Sequence, residues 1–196
     1  MIRILCLMAL ACGALAFQDS ASAQDREKDV YRIYSLLMTN PQTSHGPDNN
    51  PRFLIAVTTR SPLPGEPCVR PREREAEFQE VLADFQARKA TARTLQRQLM
   101  ISKPYVLLSE DQVNAFRNKQ NVPEFQGVTD VFTLGDVYFS KNGRLALTGI
   151  SSWCGGLCAL ELWKVLTKLP SGEWQELPWV TCTSIAGLLP SVDARS

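Results

Sequence analysis

Few residues in this chain have the types and spacing to do chemistry. The most conspicuous are cysteines. Cys6 and Cys12 lie in the N-terminal segment, which leaves Cys68, Cys154, Cys158 and Cys182. Cys154 and Cys158 flank Gly155-Gly156-Leu157. A redox dithiol usually has two intervening residues and a helix N-terminus that lowers a thiol pKa. Here three residues intervene, within a strand-like stretch. A tetrahedral zinc site wants ligands in tight pairs, and one such pair is present. A structural disulfide is the preferred chemistry, since opposed Cα atoms across a hairpin stand about 4.5–5.5 Å apart. An even cysteine count fits an exported, disulfide-stabilised chain, and the number present allows more than one pairing. The preferred pairing is Cys154–Cys158 with Cys68–Cys182. Cys158–Cys182 competes with it, because the strand register sets Cys182 opposite Leu160.

The single histidine, His45, sits in the polar loop from Asn40 to Pro51. No G-x-S-x-G elbow accompanies it, so a hydrolase triad is not indicated. General base work would fall to a carboxylate or a lysine. Asp136 and Lys164 are the candidates. The expected register puts them on one sheet face with Thr148 between them and Tyr138 in the neighbouring row. A carboxylate and an amine on a half-apolar face could line a ligand-binding pocket and titrate abnormally. The competing reading, a cross-strand polar row worth little, is preferred. No catalytic residue, metal ligand or cofactor is assigned. Trp153 and Trp174 fall near strand ends, where aromatics cap a core edge or contact a peptide or sugar.

The element that must position these residues is the stretch from Leu134 to Cys182. Ser140-Lys141-Asn142-Gly143-Arg144 and Leu169-Pro170-Ser171-Gly172-Glu173 each fit a three-residue hairpin loop ending on a left-handed glycine. The cysteine-flanked loop makes a third. These turns set Phe139 opposite Leu145, Val137 opposite Leu147, Gly149 opposite Trp163, Leu147 opposite Val165, and Val165 opposite Leu177. One apolar face results, and a one-residue slip would break it. The expectation is a four-stranded antiparallel meander, with Pro178 marking its last strand as an edge.

The rest of the chain supplies helices and further strands. Residues 26–39 carry Val30, Ile33, Tyr34, Leu37 and Met38 at helical spacing. Phe53 to Thr59 is a nearly continuous apolar strand, covered on both faces. A long helix is expected over 72–99, acidic first and basic later, with its apolar stripe lapsing near Arg88 to Thr91, where a break can fall. Tyr105 to Leu108 reads as a strand. Ser109 to Asn118 reads as a short helix with a Ser109/Gln112 capping box.

Residues 1–23 have the pattern of a secretory signal: Arg3, an apolar run from Ile4 to Phe17, and Ala21-Ser22-Ala23. That apolar run is too short to span a bilayer comfortably, and no second apolar segment is long enough to span one. The net charge of +1 gives no support for nucleic-acid binding. The fold class expected is α+β. Residues 24–196 form one domain, with helices packed against one face of the C-terminal meander and one or two additional N-terminal strands. The functional expectation is an exported, periplasmic or extracellular, non-catalytic domain that binds a protein, peptide or envelope component. The alternative is a small enzyme or ligand carrier with a pocket around Asp136, Thr148 and Lys164. The turn ending in Gly172-Glu173-Trp174 resembles the last hairpin of cone-shaped nuclear-transport-factor-like domains. That resemblance covers the last quarter of the chain, and the helix-rich region 72–118 departs from that fold's order, so no family is assigned.

Overall fold

The structure is a computed structural model that describes residues 24–39, 41–43, 46–47, 49–60, 67, 69–120, 122–155, 158–181 and 183–186. The signal-like segment, His45, Cys68 and Cys182 lie outside the described residues.

Helix α1 (24–39) forms where the helical spacing predicts it, and buries Val30, Ile33, Tyr34, Leu37 and Met38. A small ribbon follows, β1 (Gln42–Thr43) with β2 (Gly46–Pro47). Strand β3 (Phe53–Ala56) buries Phe53, Leu54 and Ile55, so both of its faces are covered. Strand β4 (Val69–Arg70) precedes helix α2 (Glu75–Arg88).

The helix expected over 72–99 ends at Arg88. Past that point the apolar stripe lapses, and the Thr91 N–H and hydroxyl both donate to the Arg88 carbonyl, at 2.8 and 2.7 Å. Leu95 and Leu99 then pack under α1 rather than continuing the α2 stripe. Strand β5 (Tyr105–Leu108) leads directly into helix α3 (Glu110–Arg117), and the Ser109/Gln112 capping box is formed.

The chain then lays down β6 (Val131–Leu134), β7 (Tyr138–Phe139), β8 (Leu145–Gly155), β9 (Cys158–Lys168), β10 (Trp174–Glu176), β11 (Val180–Thr181) and β12 (Thr183–Ala186). The main sheet has eight strands in the order β10-β9-β8-β6-β3-β5, with β12 also on β9 and β7 also on β8. β11 pairs with β4 separately. The fold is therefore α+β with a mostly antiparallel sheet. The departure is at one end, where β3 runs parallel to both β5 and β6.

The helices occupy both faces of the sheet, not the single face expected. α1 covers Phe132, Leu134, Ala146, Ile150, Leu162 and Leu166. α2 covers Leu145, Leu147, Trp163 and Val165 with Phe78, Val81 and Phe85. α3 covers Leu54, Leu108 and Val131 on the α2 side. The physical reason lies in the sequence: both faces of β8 and β9 are apolar enough to need covering.

Two of the three predicted loops carry the expected register beside the turn. Farther along β9, Leu160 faces Ile185 of β12 and not Cys182, because Val180–Thr181 leaves to pair with β4. Leu147 faces Val165 and Gly149 faces Trp163. The Leu169 N–H donates to the Glu173 carbonyl at 2.8 Å around Gly172, whose φ is 87°. The first loop is one residue longer than expected. Tyr138 pairs with Leu147 and Phe139 with Ala146, in place of Val137 with Leu147 and Phe139 with Leu145. Side chains set this loop: the Ser140 hydroxyl accepts from the Leu145 N–H at 3.0 Å and donates to Asn142 Oδ1 at 2.8 Å.

The slip is absorbed a few residues upstream. Leu134 still pairs with Ile150, and the Gly135 N–H donates to the Gly149 carbonyl at 2.7 Å. Between there and Tyr138, two residues, Asp136 and Val137, stand against one, Thr148. That is a β-bulge, and it exchanges the faces of everything after it. Val137 and Phe139 lie under α1, and Tyr138 lies under α2, so β7 gives the expected apolar face Tyr138 in place of Val137 and Phe139.

Candidate functional site

The bulge carries the first group of charges. Asp136 is 3% exposed and accepts from Arg88 Nη1 at 2.9 Å, Arg93 Nε at 3.4 Å and the Val137 N–H at 2.9 Å. Arg88 also grips Asp84 through Nε and Nη2 at 2.7 and 2.6 Å, and donates to the Val137 carbonyl at 2.8 Å. Its guanidinium lies 5.0 Å over the Tyr138 ring. Arg93 completes the set by pairing with Glu27 of α1.

Within this set, Asp84 and Arg88 hold each other ionised. Burial pushes the Asp84 carboxyl up, but the Arg88 guanidinium and the Phe139 N–H bring it below the usual carboxylate range. The hydrogen bond to Asp84 raises Arg88 despite its burial. The Tyr34 hydroxyl donates to the Gly135 carbonyl at 2.9 Å, and burial pushes its phenol well above the ordinary tyrosine value.

The four residues expected to share a pocket do not. Thr148 is fully buried and donates to the Gly135 carbonyl at 3.2 Å. Lys164 stands opposite Thr148 but turns to Glu176, at 2.5 Å, beside a cavity of about 200 Å³ that Leu36, Ile150 and Leu162 also line. Tyr138 is on the opposite face, and Asp136 is occupied by arginines. Cys154 and Cys158 are disulfide-bonded, with Cα atoms 5.3 Å apart, across the β8–β9 hairpin.

A second group of charges lies where the parallel strands end. Ala56 closes β3 beside Leu108, the last residue of β5. On the other side of β3, Leu54 and Ile55 pair with Val131 and Phe132, which brings Thr133 level with Ala56. Thr133 pairs with Ser151, and Ser151 with Glu161. Above Ala56, Leu108 and Thr133 is a cleft of about 110 Å³, walled by Thr58, Arg60, Glu110 and Arg117. In open sheets with parallel strands, the crevice outside the carboxyl ends is where ligands bind.

The backbone around this cleft is fixed. The Val57 N–H donates to the Leu108 carbonyl at 2.8 Å, and the Arg60 N–H to the Leu134 carbonyl at 3.0 Å. Buried Thr59 exchanges two bonds with Arg93, N–H to carbonyl at 2.9 Å and hydroxyl from N–H at 2.8 Å. Arg117 ends α3, its guanidinium 5.7 Å over the Trp153 ring, and Trp153 packs on Phe116 at 6.0 Å.

Electrostatically the cleft is incomplete. Among the described residues, neither Arg60 nor Arg117 has an ion-pair or hydrogen-bond partner for its guanidinium. Burial lowers the Arg117 pKa and the nearby Arg60 charge lowers it further. Burial pushes the Glu161 carboxyl up, and Arg60 offsets part of that. Two guanidiniums that feel each other across a cleft, with no carboxylate hydrogen-bonded to either among the described residues, form a place where an anion would be held.

Sequence reasoning missed this pair. Arg60 opens a proline-rich connection and Arg117 ends a short helix, and no local spacing links them. The available signal was positional: Arg60 closely follows the apolar strand β3, and Arg117 ends the helix that follows the apolar strand β5. Comparison of the chain with protein-family models, curated proteins and solved structures finds no match. Among the described residues, no helix is long and apolar enough to cross a membrane.

Proposed function

We propose that this chain is an exported, disulfide-stabilised, non-catalytic domain that binds a protein, peptide or envelope component, and that the cleft between Arg60 and Arg117 is where it does so. The observation that carries this reading is the pair of guanidiniums that, among the described residues, have no ion-pair or hydrogen-bond partner, walling a cleft whose backbone is fixed at Val57 and Arg60. Size supports a macromolecular partner. The cleft holds about 110 Å³, whereas pockets that engulf a small molecule span about 300–1,000 Å³. One charged group of the ligand enters, and the rest lies against the surface outside.

The other ionisable groups at the sheet support a binding role over a catalytic one. Asp136, Asp84, Arg88 and Arg93 are engaged with one another. The Cys154–Cys158 bond fits an oxidising compartment, periplasmic or extracellular, as does the signal-like segment. Val69 pairs with Thr181, the residues next to Cys68 and Cys182 in sequence, which fits the preferred second disulfide.

The test uses the mature protein immobilised against an envelope extract, beside an Arg60→Glu/Arg117→Glu variant of matched melting temperature. Proteins or peptides retained by the wild type and lost by the variant are expected. Identical retention by both contradicts the reading.

A further inference from the structure

We infer that the group received between Arg60 and Arg117 is a carboxylate, supplied by a peptide as its C-terminus or as an Asp or Glu side chain. The inference rests on the proposed binding role of the cleft and specifies its ligand. Charge decides between anions. Glu110 lines the cleft, and Glu161 lies close enough to Arg60 for each to feel the other's charge. The two arginines are thus opposed by two carboxylates, and the summed charge of the site is near zero.

A phosphate ester brings roughly −1.5 to −2 charges and three acceptor oxygens. Its excess charge would face Glu110 and Glu161. A carboxylate brings one charge on two in-plane oxygens, which matches the planar guanidinium fork. Size points the same way. The cavity of about 110 Å³ compares with roughly 30 Å³ per water in the liquid, so it has room for a carboxylate and the carbon bearing it. Trp153 and Phe116, beside Arg117, give the remainder of a peptide an apolar wall to lie on.

The experiment follows the backbone amides of Thr58, Thr133 and Arg117 by NMR in the mature, oxidised protein at constant ionic strength. Four probes are titrated: a blocked tripeptide with a free C-terminal carboxylate, the same peptide as its amide, a doubly blocked Ala-Glu-Ala peptide, and inorganic phosphate. The expected result is saturable shifts with the carboxylate peptides, at least tenfold tighter than with the amide and tighter than with phosphate. The tighter of the two carboxylate peptides identifies the source. Arg60→Gln and Arg117→Gln should each weaken it at least tenfold. Tighter binding of phosphate, or equal binding of the amide, overturns the carboxylate assignment and leaves the cleft as a binding site. No shift at these amides with any probe overturns both. The comparison of peptides on the wild type stands even if an arginine variant fails to fold.

Discussion

Arg88 and Arg93 at the bulge, and Arg60 and Arg117 at the cleft, are two arginine pairs that reach the sheet near one another. Asp136, which accepts from the first pair, follows Gly135 directly, and Arg60 of the second pair, past the end of β3, bridges to Gly135. Gly135 lies so close to β8 that a Cβ there would stand 3.0 Å from the Gly149 nitrogen. The surroundings differ in what they offer the charge. At the bulge each guanidinium meets two carboxylates, Arg88 those of Asp84 and Asp136 and Arg93 those of Asp136 and Glu27, and Asp136 is closed off from solvent. At the cleft, among the described residues, neither guanidinium has a hydrogen-bonded carboxylate: each faces the open cleft, with the charges of Glu110 and Glu161 acting only at longer range. Partnered charge fastens α2 and the 89–95 segment to the sheet. Unpartnered charge on a fixed backbone is free for a ligand.

The comparison can be broken most forcefully at Asp136. Asp136→Ala leaves two guanidiniums facing a buried site without their shared acceptor, and should cost about 3 kcal/mol. Urea unfolding measures this, and a loss under about 1 kcal/mol would mean that the bulge network does not hold the fold. Next in size is the hairpin beside the cleft. Removing the Cys154–Cys158 bond by a double serine substitution should cost about 2 kcal/mol, given its short loop. Thiol titration of the unreduced wild type should find neither of these sulfurs reactive.

A smaller effect belongs to Glu77, which the hydrogen bond from Arg74 holds down at about 2 against an ordinary 4.5. Its folded value is the lower one, so the unfolded chain binds the proton first and stability rises with pH across that window. The contribution is present above about pH 4.5 and fades as pH falls toward 2. Solvent reaches this pair, so it is worth under about 1 kcal/mol. Glu77→Gln should flatten the acid limb of a stability profile by that amount and leave neutral pH little changed beyond it. The smallest effect is expected at the cleft: Arg60→Gln and Arg117→Gln should each change stability by no more than about 0.5 kcal/mol. A loss comparable to that of Asp136→Ala would make the cleft arginines structural and erase the contrast.

The local elements were legible where one stretch of sequence carried the whole signal. The Ser109/Gln112 capping box, the strand Tyr105–Leu108 and the Pro170-Ser171-Gly172 turn each depend on neighbours in the chain. The first hairpin failed for a local reason as well. The Ser140 hydroxyl makes its own bond to the Leu145 N–H, which lengthens the loop by one residue and forces the bulge at Asp136. That single residue moved Tyr138 away from Thr148 and Lys164 and removed the expected pocket. The parallel pairing of β3 with β5 and β6 leaves no local trace, because its register is set by packing between distant segments. The cleft depends on that pairing, so Arg60 and Arg117 could not be brought together from the sequence.

The claim that paired arginines build the fold while unpaired ones await a ligand is tested most directly on the guanidiniums themselves. The measurement is the side-chain Nε–Hε NMR signals of Arg60, Arg88, Arg93 and Arg117 in one sample, titrated with sodium acetate against sodium chloride at equal ionic strength. Saturable movement of Arg60 and Arg117, with Arg88 and Arg93 stationary, is the predicted result. Equal response of all four, or none from Arg60 and Arg117, would contradict the account.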